Sequence, residues 1–254
     1  MSSFNSHPWV DLIGSGCAGA CHLHLIIDLT SCSLPLLASV KAVQPAMPWH
    51  LLFTGLPEEG IKEFGPLLVR VDPDDSLQRH WLDGLVAVLA TESRLLAFGS
   101  SWPFEALAAH LRCCLEIKMN GQLGLFRYYD PRTFPLLFSH VLTEEQQLPW
   151  LEPAVFWSWL DRDGAPAHLV GIGSSIFSSQ AKGVIELSND QLACLESASD
   201  ASLEADSLDN EQCSHWSAEQ RYQRCCAVMM KATQLGLFTP HEREAYFNEW
   251  VASL

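Results

Sequence analysis

The sequence predicts an α/β fold: a mixed, largely parallel sheet with flanking helices, followed by a small α-helical C-terminal lobe. Three observations carry this. Short apolar runs of strand length alternate with helix-period runs over residues 22–111. Two hairpin signals follow, Asn120-Gly121 and Asp163-Gly164, each between apolar runs. Finally, residues 183–220 carry nine acids and no Lys or Arg, and beyond them the pattern is helical alone. The chain therefore divides into an α/β lobe over 1–182, an acidic linker or mobile loop over 183–216, and a helical lobe over 217–254.

Taken in order, residues 1–19 lack periodicity and read as an irregular lead-in. "HLHLIIDL" (22–29) is a strand by apolar content, "LPLLASVKAV" a helix, "WHLLFTGL" (49–56) a second strand and "GPLLVRVD" (65–72) a third. A helix runs from Asp75 or Ser76 through Ala90, with Leu77, Trp81, Leu85 and Val88 at helical spacing. "RLLAFGS" is a fourth strand. Ser101 is placed to cap the next helix, with Pro103 early in it and Phe104, Leu107, Ala108 and Leu111 on one face. "CCLEIKM" and "LGLFRYYD" form a hairpin, with the second strand ending at Tyr129. "AVFWSWLDRDGAPAHLVGI" (154–172) forms another and closes the first lobe. In the last lobe Ser217 and Gln220 make a capping box, Gly236 a helix stop, and Thr239-Pro240 a second helix start.

Composition narrows the function classes. The 254 residues are 48% hydrophobic and only 18% charged, with a net charge of -15. With no run of Lys or Arg, a nucleic-acid partner is excluded as an expectation, because phosphate binding rests on clustered cations. The N-terminus has no basic start before an apolar core, so no secretory signal is expected, and no apolar stretch nears the length of a membrane span. The nine cysteines read as reduced, mostly buried thiols of a cytoplasmic protein.

The densest chemistry is "FRYYDPR" (126–132). Alternation places Phe126 and Tyr128 on one face, with Leu125, Arg127 and Tyr129 on the other. Arg127 needs a carboxylate, and Asp130 and Glu116 are the candidates. Asp130 either caps a helix beginning at Pro131 or makes a turn. Cys17, Cys21, His22 and His24 have a metal-like look, but Cys-x3-Cys with His immediately after is not the spacing of a structural zinc site. "GIGSS" (171–175) is no phosphate loop, no G-x-S-x-G elbow exists, and His80, His110 and His140 have no nucleophile at motif spacing. No catalytic set and no cofactor are expected.

"RLLAFGSSWPFEALAAHLRCCLEI" through "NGQLGLFRYYDPRTFPLLFSHVL" resembles the adaptor, or effector-chaperone, family of bacterial type VI secretion systems. The matching positions are Phe98 to Ser101, His110-Leu111-Arg112 and Phe126 to Arg132, with Tyr128 in a slot often held by Phe. Asp28 in "LIIDLT" also matches, without the Gly or Ala usual beside it, and "QLGLFTPHEREAYFNEWV" is similar to a recurring tail. The resemblance covers roughly residues 22–145 plus that tail. It implies a non-enzymatic, cytoplasmic protein that holds a toxic effector and loads it onto the VgrG spike. On this reading Arg112, Arg127, Asp130 and Arg132 are candidates for a partner surface as well as for a structural junction. The helical lobe adds Met229, Phe238, Tyr246 and Trp250, since two helices cannot hide so many large side chains on both sides. The alternative class is a hydrolase or metal-dependent enzyme using the Cys/His-rich N-terminal segment.

Overall fold

The computed structural model describes residues 7–17, 21–32, 34–175, 183–208 and 213–253. Residues 1–6, 18–20, 33, 176–182, 209–212 and 254 lie outside the described residues, and with them parts of the expected lead-in and acidic segment. In chain order the elements are α1 (Pro8–Gly16), β1 (His22–Asp28), α2 (Leu36–Ala42), β2 (Trp49–Leu51), a 3-10 segment (Pro57–Phe64), β3 (Pro66–Val71), α3 (Ser76–Leu89), β4 (Leu95–Ser100) and α4 (Phe104–Cys113). Then come β5 (Glu116–Met119), β6 (Gln122–Leu125), α5 (Phe134–Leu136) running into a π turn (Leu137–Val141), α6 (Glu144–Leu151), β7 (Phe156–Leu160), β8 (Pro166–Val170), β9 (Ile185–Leu187), α7 (Asn189–Ser207), α8 (Ala218–Gln234) and α9 (Pro240–Ala252).

The main sheet has the order β2-β3-β1-β4-β7-β8, and every neighbouring pair in it is antiparallel. The expected largely parallel sheet is thereby overturned. The helical connections do join parallel strands, but each skips one position. α3 leads from β3 to β4, and β1 lies between them, antiparallel to both. α2 leads from β1 to β2 with β3 between. A second, mixed sheet has the order β6-β5-β9, with β5 antiparallel to β6 and parallel to β9. Its hairpin turns at Asn120 and Gly121, whose φ values of 51° and 77° are the left-handed pair that a two-residue turn needs.

Strand β1 is covered on both faces, so alternation sorts its side chains into two cores. Leu23, Leu25 and Ile27 join one cluster with α1, α2 and α3. Ile26 joins the other, beneath α4, the second sheet and the later helices. α7, α8 and α9 contribute Ala201, Cys225, Met229 and Phe247 to this same cluster as Phe98 and Trp157, so the sheet and the C-terminal helices share one core. No described helix is long and apolar enough to cross a membrane.

Several expectations are corrected locally. The lead-in holds α1, started by Pro8, with the His7 ring accepting from Trp9 N–H, and it buries Trp9, Val10 and Ile13. The strand expected over 49–56 ends at Leu51. In α3 the buried face is Gln78, Leu82, Leu85, Val86 and Leu89, while Leu77 and Val88 are exposed. Asp75 caps this helix on Leu77 and Gln78 N–H, and Gln78 turns inward to accept from Asp72 N–H at 2.8 Å. Pro103, not Ser101, precedes α4 as its cap residue. The segment expected as an acidic linker or loop contains β9 and the 19-residue α7, which opens with a Ser188–Gln191 capping box. Its buried face is Ser197, Ala198, Ala201 and Ala205, side chains too small to register as an apolar stripe. At the end of α8, Gly236 N–H reaches Thr233 O and Leu237 N–H reaches Ala232 O, the paired bonds of a left-handed glycine stop.

The three C-terminal helices are joined by a buried cation. Arg243 of α9 donates to Thr233 of α8 at 2.7 Å and to Ser197 of α7 at 3.2 Å, and pairs with Asp200 at 2.7 Å. Arg243→Ala removes the hydrogen bonds to Thr233 and Ser197 and the ion pair with Asp200 at once, and we expect a loss of about 2–3 kcal/mol in urea unfolding. A second expectation concerns His24, which is fully buried, stacked on Phe98 at 5.1 Å, with neither ring nitrogen hydrogen-bonded. Burial, then the neighbouring His22 ring and the Arg70 guanidinium, lowers its pKa from 6.5 to about 3; the Ser100 backbone opposes this only in part. The unfolded chain therefore binds a proton that the fold refuses, and stability present above pH 6.5 is lost as pH falls toward 3. His24→Phe should reduce the difference in unfolding free energy between pH 7 and pH 5 by about 2 kcal/mol.

Candidate functional site

The motif "FRYYDPR" is not the strand end that alternation suggests. β6 stops at Leu125, and Phe126 N–H makes one further ladder bond to Leu115 O at 2.7 Å. The chain then coils through tight turns: Tyr128 N–H to Phe126 O at 2.9 Å, and Asp130 N–H to Arg127 O at 3.2 Å. Coiling breaks the period of two, so Phe126, Tyr128 and Tyr129 are all buried and only Arg127 and Arg132 face outward. Tyr128 donates its hydroxyl to Leu111 O at the end of α4, at 3.1 Å, and Phe126 and Tyr128 both lie against Trp150 of α6. Tyr129 is pushed up to about 12 by burial, with Arg127 opposing and Asp28 adding to the shift.

Arg127 finds neither Asp130 nor Glu116. Its Nη2 donates to Asp28 Oδ2 at 2.9 Å, at the end of the central strand, 99 residues away. Asp28 Oδ1 accepts from Thr30 N–H at 2.9 Å. Arg94 binds the carbonyls of Asp28 and Thr30, so two guanidiniums fasten the strand end. Asp130 does not cap a regular helix. It makes a turn: its Oδ1 accepts from Arg132 N–H, its carbonyl from Thr133 and Phe134, and its carboxylate holds the Arg132 guanidinium with bonds of 3.0 and 2.7 Å. Arg112 reaches Thr54 O at 3.3 Å.

The other end of the motif is tied to the C-terminal helices through the β7–β8 turn. Arg162 stacks over the Tyr222 ring at 3.3 Å, donates to Glu219 at 3.2 Å and touches Arg132 O at 3.5 Å. Asp163, beside the Gly164 turn, sits on the first N–H groups of α8, accepting from Ala218 at 2.8 Å, Glu219 at 3.3 Å and the Ser217 hydroxyl. Those bonds, the Ser217 hydroxyl first, hold its pKa below the usual carboxylate value. The Asp163–α8 contact escaped the sequence reading. "DRDG" signals a turn, but nothing local says that its second aspartate docks on a helix 55 residues later.

The C-terminal candidates separate in space. Met229 is buried in the core, Tyr246 and Trp250 are half-buried, and Phe238 is 64% exposed between α8 and α9. Of the N-terminal Cys/His residues, Cys17, Cys21 and His22 line one cleft of about 1030 Å³, while His24 is stacked apart from them between Phe98 and Phe104. Among the described residues no group of three or more His, Cys, Asp or Glu could hold a metal ion.

A family model described as "Domain of unknown function (DUF4123)" matches residues 23–148, just under half of the chain, from the central strand through the motif into α6. No curated protein and no solved structure matches the chain.

The two exposed arginines differ in what they hold. Arg127→Ala strips a nearly buried carboxylate of the side chain hydrogen-bonded to it and separates segments distant in sequence, so about 2–3 kcal/mol should be lost. The Arg132–Asp130 pair is two residues apart and stays close in the unfolded chain, so Arg132→Ala should cost about 1 kcal/mol. Paired urea melts at pH 7 measure both.

Proposed function

We propose that this chain is a non-enzymatic adaptor that holds a type VI secretion effector in the bacterial cytoplasm and loads it onto the VgrG spike. The observation that carries the reading is the span of the family match, residues 23–148, which contains Asp28, Arg127 and the whole motif they anchor. The matching family is linked to effector chaperones of that system. The net charge of -15 argues against a nucleic-acid partner. On this reading Arg127, Asp130 and Arg112 build the frame, and a partner meets what they leave outside: Arg132 at the motif and Phe238 between the last two helices. We rank the enzyme alternative lower, since His24 is sealed in an apolar stack and burial pushes the Cys17 thiol up, although Cys17, Cys21 and His22 share a cleft.

Affinity capture of the tagged chain from its native lysate, followed by mass spectrometry, should recover a toxin-domain protein together with VgrG. Phe238→Asp leaves the core untouched and should lower effector recovery about tenfold, or 1.4 kcal/mol, with an unchanged melting temperature. An effector that reaches VgrG equally well in cells lacking this chain would overturn the reading.

A further inference from the structure

We infer that the cleft between the motif, the β7–β8 turn, α7 and the start of α8 is a carboxylate-binding site that grips an acidic side chain of a partner polypeptide. The cleft has a volume of about 310 Å³ and is lined by Arg132, Arg162 and Arg221 together with Ser202, Asp206 and the Thr91–Ser93 loop. Five separate pieces of chain supply it, so it exists only in the folded protein.

The three cations are not equivalent. Arg132 is held by Asp130, and Arg162 by Glu219 and the Tyr222 ring. Glu92, on the rim, is taken by Arg94 at 2.6 Å. Arg221 makes no salt bridge among the described residues, although the Asp163 carboxylate lies near enough to interact with it, and its Nε is buried without a hydrogen-bond partner. A guanidinium donor shut away from water and left unsatisfied is costly, and native structures rarely keep one without a ligand to meet it. Arg132 is more than half exposed and uses only Nε and Nη2 on Asp130, so its second amino group remains to be used. Two guanidiniums with spare donors across a small cleft suit a planar carboxylate. A dianionic phosphate is a poorer fit, because Asp206 lines the same cleft, close enough to act on Arg132, and the chain as a whole is strongly negative. The volume suits one acidic side chain and its flanking backbone. That the carboxylate belongs to a polypeptide rests on the adaptor reading; the anion site itself does not.

The test is fluorescence anisotropy with a labelled eight-residue peptide carrying two glutamates, beside its glutamine counterpart, with inorganic phosphate as competitor. The glutamate peptide should bind saturably and the glutamine peptide should not. Binding should weaken at least tenfold in Arg221→Gln and in Arg132→Gln, each checked as folded by circular dichroism, and stay unchanged in Lys118→Gln on the remote β5. If Arg221→Gln does not fold, Arg132→Gln carries the same comparison. Absence of saturable binding, equal binding in the folded arginine variants, or equal binding of the glutamine peptide overturns the site. Displacement by phosphate at the peptide's own concentration would make it a phosphoryl site and overturn the assignment to a side-chain carboxylate. Failure of effector capture with intact peptide binding would instead count against the adaptor reading alone.

Discussion

Trp157 is the joint on which the larger core depends. It sits in β7, fully buried, with its ring 4.3 Å from Phe98 of β4 and 5.1 Å from Phe134, two residues past the motif. Its indole N–H donates to Trp150 O of α6 at 2.9 Å, so the one polar atom of a large apolar group is satisfied inside the core. Sheet, motif and following helix thus meet on one side chain. Phe126, Tyr128 and Phe138 pack on Trp150 next door, which extends the aromatic layer under the second sheet. Burial of so many rings supplies the apolar stabilisation, and the geometry of the layer dictates that Phe126, Tyr128 and Tyr129 must all point inward. The coil of the motif follows from that demand.

Polar contacts then fix what the aromatic layer leaves free. Each long-range ion pair joins pieces that the apolar core alone would let slide: Arg127 on Asp28, Arg162 on Glu219, Arg243 on Asp200. In the first and last, one partner is nearly buried and the other reaches solvent, so the desolvation cost is smaller than for a fully buried pair, while Arg162 and Glu219 are both mostly buried. Asp163 serves the same purpose through a helix end, where the partial positive charge of α8 receives a carboxylate from a β-turn. An acidic protein with few cations spends most of its arginines in this way, as ties between elements.

What could be read from the sequence was what is decided locally. The Asn120-Gly121 turn, the Ser217 and Thr239 caps and the Gly236 stop each depend on residues within three or four positions, and each formed as the sequence indicates. Strand direction was hidden, because alternating strands and helices are compatible with a crossover that skips a position, and only long-range pairing decides which strand fills the gap. α7 was hidden because alanines and a serine make its inner face. The phase of α3 was misjudged because Leu77 and Val88 offered a second, equally regular stripe, while the buried Gln78 spoiled the true one. In the candidate site, the motif was legible as a junction, yet the partner of Arg127 was sought among neighbouring carboxylates and lay on the central strand.

The position of β1 between two strands that follow it in sequence has a consequence for how the protein is made. At roughly 5–20 residues per second of synthesis, β1 waits about 2–9 s for β3 to be completed, and longer for β4 to close its other edge. Throughout that interval Leu23, Leu25, Ile26 and Ile27 are displayed on a nascent chain with both strand edges open. Arg127 leaves the ribosome later still, so Asp28 is locked only after the sheet around it has assembled. β1, the first of the described strands to be translated, is thus the one most in need of shelter on the ribosome, although it ends enclosed on both edges.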